Sequence, residues 1–445
     1  MNDSLVVPED TIRTTVGDIA IPRMGVVEQV WDTDPIPTEE IESRALDATY
    51  DLDFGDVPDG GEVAIGAGSR GIANLPAIVS GVVAGVREQG YDPFVFPAMG
   101  SHGGATAEGQ REKLETLGVS EETIGCEIRA TMDVETVGET PDRGVPVYAD
   151  ANAVAADSIV MVNRIKPHTD FSGEVESGLS KMLVIGMGKQ RGAKMAHDWA
   201  VDWSLRNMLP EIASLLLDSL PVAGGVAIVE DEHDDTTLIE GVPASGFLKR
   251  ERELLEMAHD RMPKLPFDDL DVLVVDRIGK DVSGQGMDTN VTGRRHFTIN
   301  EPEPESPTVK RIYLRGLTKK SKGNAMGMGQ ADFAHREVKE VLDWSKSTIN
   351  AITASTVRGV RLPPVVENDR AGLLGTLGTI GPVPGDEARL LRVTDTMRLE
   401  RCYASPALIE DARDRDDLRV VVDPEDVEFD ENGDFEAPSP DLGHE

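Results

Sequence analysis

Short apolar, β-branched runs alternate along the chain with amphipathic stretches of helical period, a rhythm that predicts an α/β protein. EVAIGAG at 62–68 reads as a strand, and Ile78, Val79, Val82, Val83 and Val86 then share one face at helical spacing. Asn74 is placed to cap that helix, Pro76 fits its first turn, and Gly90 closes it. DPFVFPA (92–98) is the next strand and 105–117 the next helix. ADSIVMVN (156–163) follows as a buried strand. Further on, 205–220 reads as an amphipathic helix, GGVAIVED (224–231) as a strand and 247–261 as a strongly charged helix. Residues 1–60 look β-rich and loop-rich, with GDIAIPR and GVVEQVW as strand-like patches. The two prolines of MPKLPF (262–267), followed by the fresh strand DVLVVDRIG, mark a domain boundary. The expected organisation is two α/β domains with a cofactor and substrate cleft between them. The N-terminal one, 1–266, binds cofactor and carries the catalysis. The C-terminal one, 267–422, closes the cleft, and 423–445 is an acidic, disordered tail.

At 445 residues there is room for two cores. Charge changes the picture most: 81 acidic against 44 basic side chains give a formal net charge of −37. Spread over the whole length, that excess argues against nucleic acid or an anionic membrane as partner. It fits a protein of a salt-accumulating halophile, where self-repulsion is screened. Cys126 and Cys402 lie in no CxxC, which excludes a thiolate metal cluster and points to a reducing compartment. MNDSLVVPEDTIRT has neither a basic n-region nor an apolar h-region, and no apolar run reaches membrane-spanning length. A cytoplasmic location is expected.

The candidate chemistry gathers in the loops that follow the strands. GSRGIANLP places Arg70 beside a helix N-terminus, a receptor for carboxylate or phosphate. AMGSHGGATAEGQ sets His102 among Gly100, Gly103 and Gly104, an unusual position for a packing residue. NRIKPHTDFSGEVESGLSKMLVIGMGKQRGAKMAHDW (163–199) carries His168, Lys181 and His197, with Gly178, Gly186, Gly188 and Gly192 around them. A lone His or Lys is by default a solvated polar residue. The ordered set is what points to a site at the mouth of an α/β sheet.

That order resembles the nickel-dependent lactate racemase family: an arginine loop, a histidine loop, a histidine before a Phe-Ser-Gly turn, a lysine and a second histidine. The resemblance implies a nickel pincer cofactor, pyridinium-3,5-bisthiocarboxylic acid mononucleotide, attached covalently to Lys181. It makes His197 the nickel ligand, His102 and His168 the catalytic acid/base pair, and Arg70 a third catalytic residue that holds a carboxylate. Gly186 and Lys189 would contact the cofactor, the latter at its phosphate. Lys280, in the Gly-rich loop GKDVSGQGMDTNVTGRR, is a candidate substrate contact from the second domain. Two departures stand out. Glu174, Val175 and Glu176 lengthen the turn between His168 and Lys181, and Gly103 and Gly104 stand where a basic residue is expected. The implied activity is racemisation or epimerisation of a lactate-like 2-hydroxy acid by reversible hydride transfer, with cofactor-synthesis enzymes as partners. The chemistry holds without the family: a soft square-planar metal needs one imidazole when a cofactor supplies its other donors. Two alternatives remain open, a hydrolase or lyase with zinc or iron bound directly by the histidines, and a non-catalytic ligand-binding relative. No Walker A or dinucleotide fingerprint is present in a strand–helix context.

Overall fold

A computed structural model describes residues 5–69, 71–295 and 301–440. They form two compact units of mixed α/β structure. One comprises Thr33–Met262 and the other Met1–Asp32 together with Pro263–Glu445.

The Thr33–Met262 unit is built on a five-stranded sheet. Its strands are β1 (Glu62–Ala67), β2 (Asp92–Pro97), β3 (Ser158–Arg164), β4 (Val222–Glu230) and β5 (Thr236–Pro243), in the order β2-β1-β3-β4-β5. The first four run parallel and β5 is antiparallel to β4. Parallel sheets survive only when both faces are covered. Successive residues here do point into two different cores. Ala64, Phe94, Phe96, Ile159, Met161, Ala227 and Val229 pack on one side. Val63, Ile65, Val95, Val160, Val162, Val226 and Ile228 pack on the other.

On the second side lies helix α1 (Leu75–Glu88), whose buried residues include the expected Ile78, Val79, Val82, Val83 and Val86. The helix Ile41–Ala48 crosses it closely, because a Cβ on Gly81 would sit 2.2 Å from the Glu42 carbonyl oxygen. Helix α2 (Ala107–Thr116) joins the second side through Leu114, whereas α3 (Lys189–Trp203), α4 (Leu205–Ser219) and α5 (Phe247–Arg261) lie on the first. The expected N-cap at Asn74 is geometrically present but makes no side-chain cap bond. The residue is left-handed (φ 58) and its amide reaches Thr236 instead.

The other unit holds a nine-stranded sheet. Six strands, Val6–Val7, Val365–Val366, Phe333–His335, Thr308–Leu314, Asp269–Val275 and Leu390–Val393, are parallel. Three more, Arg401–Ala404, Met24–Gln29 and Leu418–Glu425, continue it antiparallel. This sheet explains how the division differs from the expected 1–266 and 267–422. Met24–Gln29 pairs with strands near residues 401 and 420, so the first 32 residues belong with the C-terminal part. The opening segment is also less β-rich than expected, with helices at Glu9–Val16 and Ile41–Ala48 and no strand at GDIAIPR.

Contrary to expectation, residues 423–440 of the acidic C-terminal segment pack as part of this unit. The last strand runs to Glu425, and Phe435 lies 4.3 Å from the guanidinium of Arg392 and 5.1 Å from that of Arg315. Its acids find internal partners, as Asp434 does with His335. No helix among the described residues is long and apolar enough to cross a membrane.

Candidate functional site

The four parallel strands end at one edge of the five-stranded sheet. Ala67 is level with Pro97 and Val162, and Arg164 with Ile228. The loops leaving β1, β2 and β3 there carry Ser69 and Arg70, His102, and His168. Open α/β sheets take their ligands at this edge. Arg70 itself lies outside the described residues.

His102 sits in a turn that needs glycine. Gly100, Gly103 and Gly104 all take positive φ, and a Cβ on Gly103 would lie 2.5 Å from the backbone of Gly109. The ring is fixed by a hydrogen bond between Nδ1 and the Ser69 hydroxyl, a partner the sequence reading missed. A hydroxyl both donates and accepts, so Ser69 can stay paired to the ring in either neutral tautomer. Beneath the loop, the buried Gln110 donates to the carbonyls of Gly100 (2.8 Å) and His102 (3.3 Å).

Gln110 in turn accepts from Lys189 Nζ (3.1 Å), which also donates to the Pro97 carbonyl (2.5 Å) and pairs with Asp150 (2.9 Å). Both members of that pair are fully buried. Burial pulls the lysine down and the aspartate up from their ordinary ranges, and their mutual attraction opposes this. Lys189 therefore differs from the expected phosphate contact, because its ammonium is spent inside the protein. It ties α3 to the strand end that carries the His102 loop.

His168 is held by its own loop. Nδ1 accepts the backbone N–H of Asp170 (3.0 Å), and the ring stacks on the buried Phe171 at 4.6 Å. With Nδ1 occupied as an acceptor, the neutral ring carries its proton on Nε2 and is set to donate there. Glu176, one of the residues that lengthens this turn, is buried and organises it. Its two oxygens accept from the backbone N–H groups of His168 (2.5 Å) and Gly173 (3.0 Å), and His259 lies 3.7 Å away. His259, read as solvated, thus flanks this loop.

Lys181 and His197 share one helical run, a single turn at Leu179–Lys181, a π-turn at Met182–Gly186 and then α3. π-turns concentrate at functional sites. His197 is held below its ordinary range, first by burial and second by the positive charge of Lys181, against Asp170 and Asp198. The lysine is therefore close enough to be felt, and the neutral imidazole is the form that binds metals. The run also joins the other loops: Gly100 donates to the Gly186 carbonyl (3.0 Å), and Asn163 Nδ2 to the Gly178 carbonyl (3.1 Å). A Cβ on Gly68 would lie 3.1 Å from the Met182 sulfur.

The structure thus brings His102, His168, Lys181 and His197 to one sheet edge. Gly186 has a packing reason instead of an evident ligand one: a Cβ there would come within 2.5 Å of the Ala98 carbonyl oxygen. Lys280 belongs to the other unit, where its ammonium donates to the Gly284 carbonyl of its own loop (2.7 Å).

Among the described residues, the His, Cys, Asp and Glu side chains close enough to share an ion are His335, Asp369 and Asp434, also in that other unit. Their atoms are already engaged. Arg315 grips both oxygens of Asp369 (2.8 and 2.7 Å), Tyr313 donates to it (2.9 Å), and His335 joins Asp434 (3.0 Å). This is a structural network.

No protein-family model matches the chain, and no curated protein matches it in sequence. Solved structures similar in outline include the following two. A structural-genomics protein from Thermotoga maritima has a TM-score of 0.46 at 13% identity, over 76% of this chain and 88% of its own. The lactate racemase apoprotein from Thermoanaerobacterium thermosaccharolyticum has a TM-score of 0.43 at 12% identity, over 84% of this chain and 89% of its own. Likeness of that size leaves both fold and activity to be argued from this chain's own residues.

Proposed function

We propose that this protein racemises or epimerises a small 2-hydroxy acid with a nickel pincer nucleotide attached at Lys181. The observation that carries the reading is that Lys181 and a half-buried His197 share one helical run, close enough for the lysine's charge to join burial in lowering the imidazole's pKa. One amine and one neutral imidazole make a sparse donor set, and no group of three protein donors completes a metal site there among the described residues. Such a set fits a cofactor that brings most of its own ligands. Lys181 would hold the cofactor covalently and His197 would bind its nickel. When bound, that group supplies reversible hydride acceptance from the substrate's α-carbon.

The chain's own residues would manage the proton. Loss of hydride from the α-carbon requires the hydroxyl proton to leave with it, so a base must stand within hydrogen-bond reach. His102 is equipped to accept at Nε2, because Ser69 can donate to Nδ1 or accept from it. His168 presents Nε2–H and serves first as donor to an oxygen on the opposite hand. Two imidazoles from separate strand ends suit two enantiomers whose hydroxyls point in different directions. Arg70, by its place after β1, would bind the carboxylate.

The test is a panel of 2-hydroxy acids given to cofactor-loaded protein in deuterated water. Hydride transfer interconverts enantiomers while the α-hydrogen stays on carbon. Incorporation of solvent deuterium at the α-carbon would instead mean proton abstraction and would overturn the proposed route.

A further inference from the structure

Glu251 has no part in the chemistry described so far, yet burying it is costly. It projects from α5, is fully buried, and has its carboxyl pushed up to about 7 by that burial. No ion pair to it is found among the described residues. Backbone N–H groups and one hydroxyl are what hold it. A carboxylate buried without a cation destabilises a fold, and an apolar residue of similar size would serve packing better.

Its partners lie at the start of the run that carries Lys181. Both oxygens accept the backbone N–H of Ser180 (3.2 and 3.0 Å), one also accepts the Ser180 hydroxyl, and the Leu179 N–H adds a further bond. Gly178 makes room for this: a Cβ there would stand 2.1 Å from Glu251 Oε1. From the other side, Asn163 donates to the Gly178 carbonyl. The first turn is therefore clamped immediately before the lysine. A helix start leaves N–H groups unpaired, and an acceptor aimed at them fixes where the helix begins.

We propose that Glu251 is the positioning residue for Lys181, its carboxylate clamping the Gly178–Ser180 turn so that the lysine amine is presented in one fixed place. This rests on the reading of Lys181 as the attachment point, but its test does not. The full chain and Glu251→Gln are labelled with limiting acetic anhydride across a pH series. The reactivity of Lys181 is then read by peptide mass relative to exposed Lys194. Gln puts an NH2 donor where an acceptor is needed, and small misplacements of a reacting group cost up to about a hundredfold. The Lys181:Lys194 reactivity ratio should therefore change by at least about tenfold, with a displaced pH profile, in protein that still melts cooperatively. An unchanged ratio and profile would overturn the proposal. If Glu251→Gln does not fold, Ser180→Ala removes one bond of the clamp and should change the ratio by about threefold. There too an unchanged ratio overturns it. No cofactor enters the measurement, so a native Lys181 without an adduct would end the proposed function and leave this result standing.

Discussion

Ser69 and His102 meet through Oγ and Nδ1 across the ends of two neighbouring parallel strands, β1 and β2. Each comes from a different loop, so the bond fixes the histidine relative to the sheet as well as within its own turn. Ser69→Ala removes it without touching the glycine turn. The expected result is a loss of about three- to tenfold in kcat/KM, the worth of one hydrogen bond, with the acid limb of the pH–rate profile displaced. Racemisation assayed from both enantiomers checks this.

The two histidines should not be equivalent. His168 Nδ1 is taken by the Asp170 N–H and His102 Nδ1 by a hydroxyl of either polarity. His168→Gln keeps a donor amide, whereas His102→Gln removes the base. The first variant should retain at least about tenfold more activity than the second in the direction that uses His102 as base. Equal losses in both directions would contradict the assignment.

Fold and site were legible in the sequence to different depths. Strands β1 to β3 and helix α1 were readable because their periodicity is local and both faces of the sheet are buried. The placement of Met24–Gln29 was not, since its neighbours lie almost the whole chain away. The acidic end looked like a solvated tail because composition does not show that Arg315 and Arg392 wait for Phe435, and His335 for Asp434. His102, His168, Lys181 and His197 stood out as reactive residues in glycine-rich loops. Their supports did not: Ser69 is 33 residues from His102, and Glu251 is 71 from Ser180. Lys189 misled for the same reason, a lysine near a helix start whose partner Asp150 comes from another strand end.

That buried pair gives a stability prediction. Lys189→Met strands Asp150 in the core and should cost roughly 3–5 kcal/mol, read as a drop in melting temperature. The double variant Lys189→Met with Asp150→Asn should recover much of the loss, since no charge is then left unpaired.

Glu251 sets a pH dependence with a definite sign. Its folded pKa of about 7 lies above the ordinary 4.5, so the native state holds the proton more tightly than the unfolded chain. Its contribution is fully present below pH 4.5 and is lost as pH rises through 7, amounting to roughly 3 kcal/mol. Unfolding free energies of the parent protein and of Glu251→Gln should therefore diverge across that window. Parallel curves would contradict the burial of an unpaired carboxyl.

His197 works the other way. Its pKa is lowered, so the stability tied to its neutral form is complete above 6.5 and falls as pH drops below it. His197→Gln should flatten that acid limb. Salt acts on the whole surface: with a formal charge of −37, raising KCl from about 0.1 M to about 2 M should raise the melting temperature. A flat response would remove the halophilic reading.

The central claim is the tether, and peptide mapping of protein purified from its native host in high salt, with metal analysis of the same sample, tests it most directly. The expected result is a sulfur-containing nucleotide adduct on Lys181 with about one nickel per chain, the single-imidazole site at His197 accounting for the stoichiometry. An unmodified Lys181 and no nickel, in folded protein that still turns over a substrate, would contradict it.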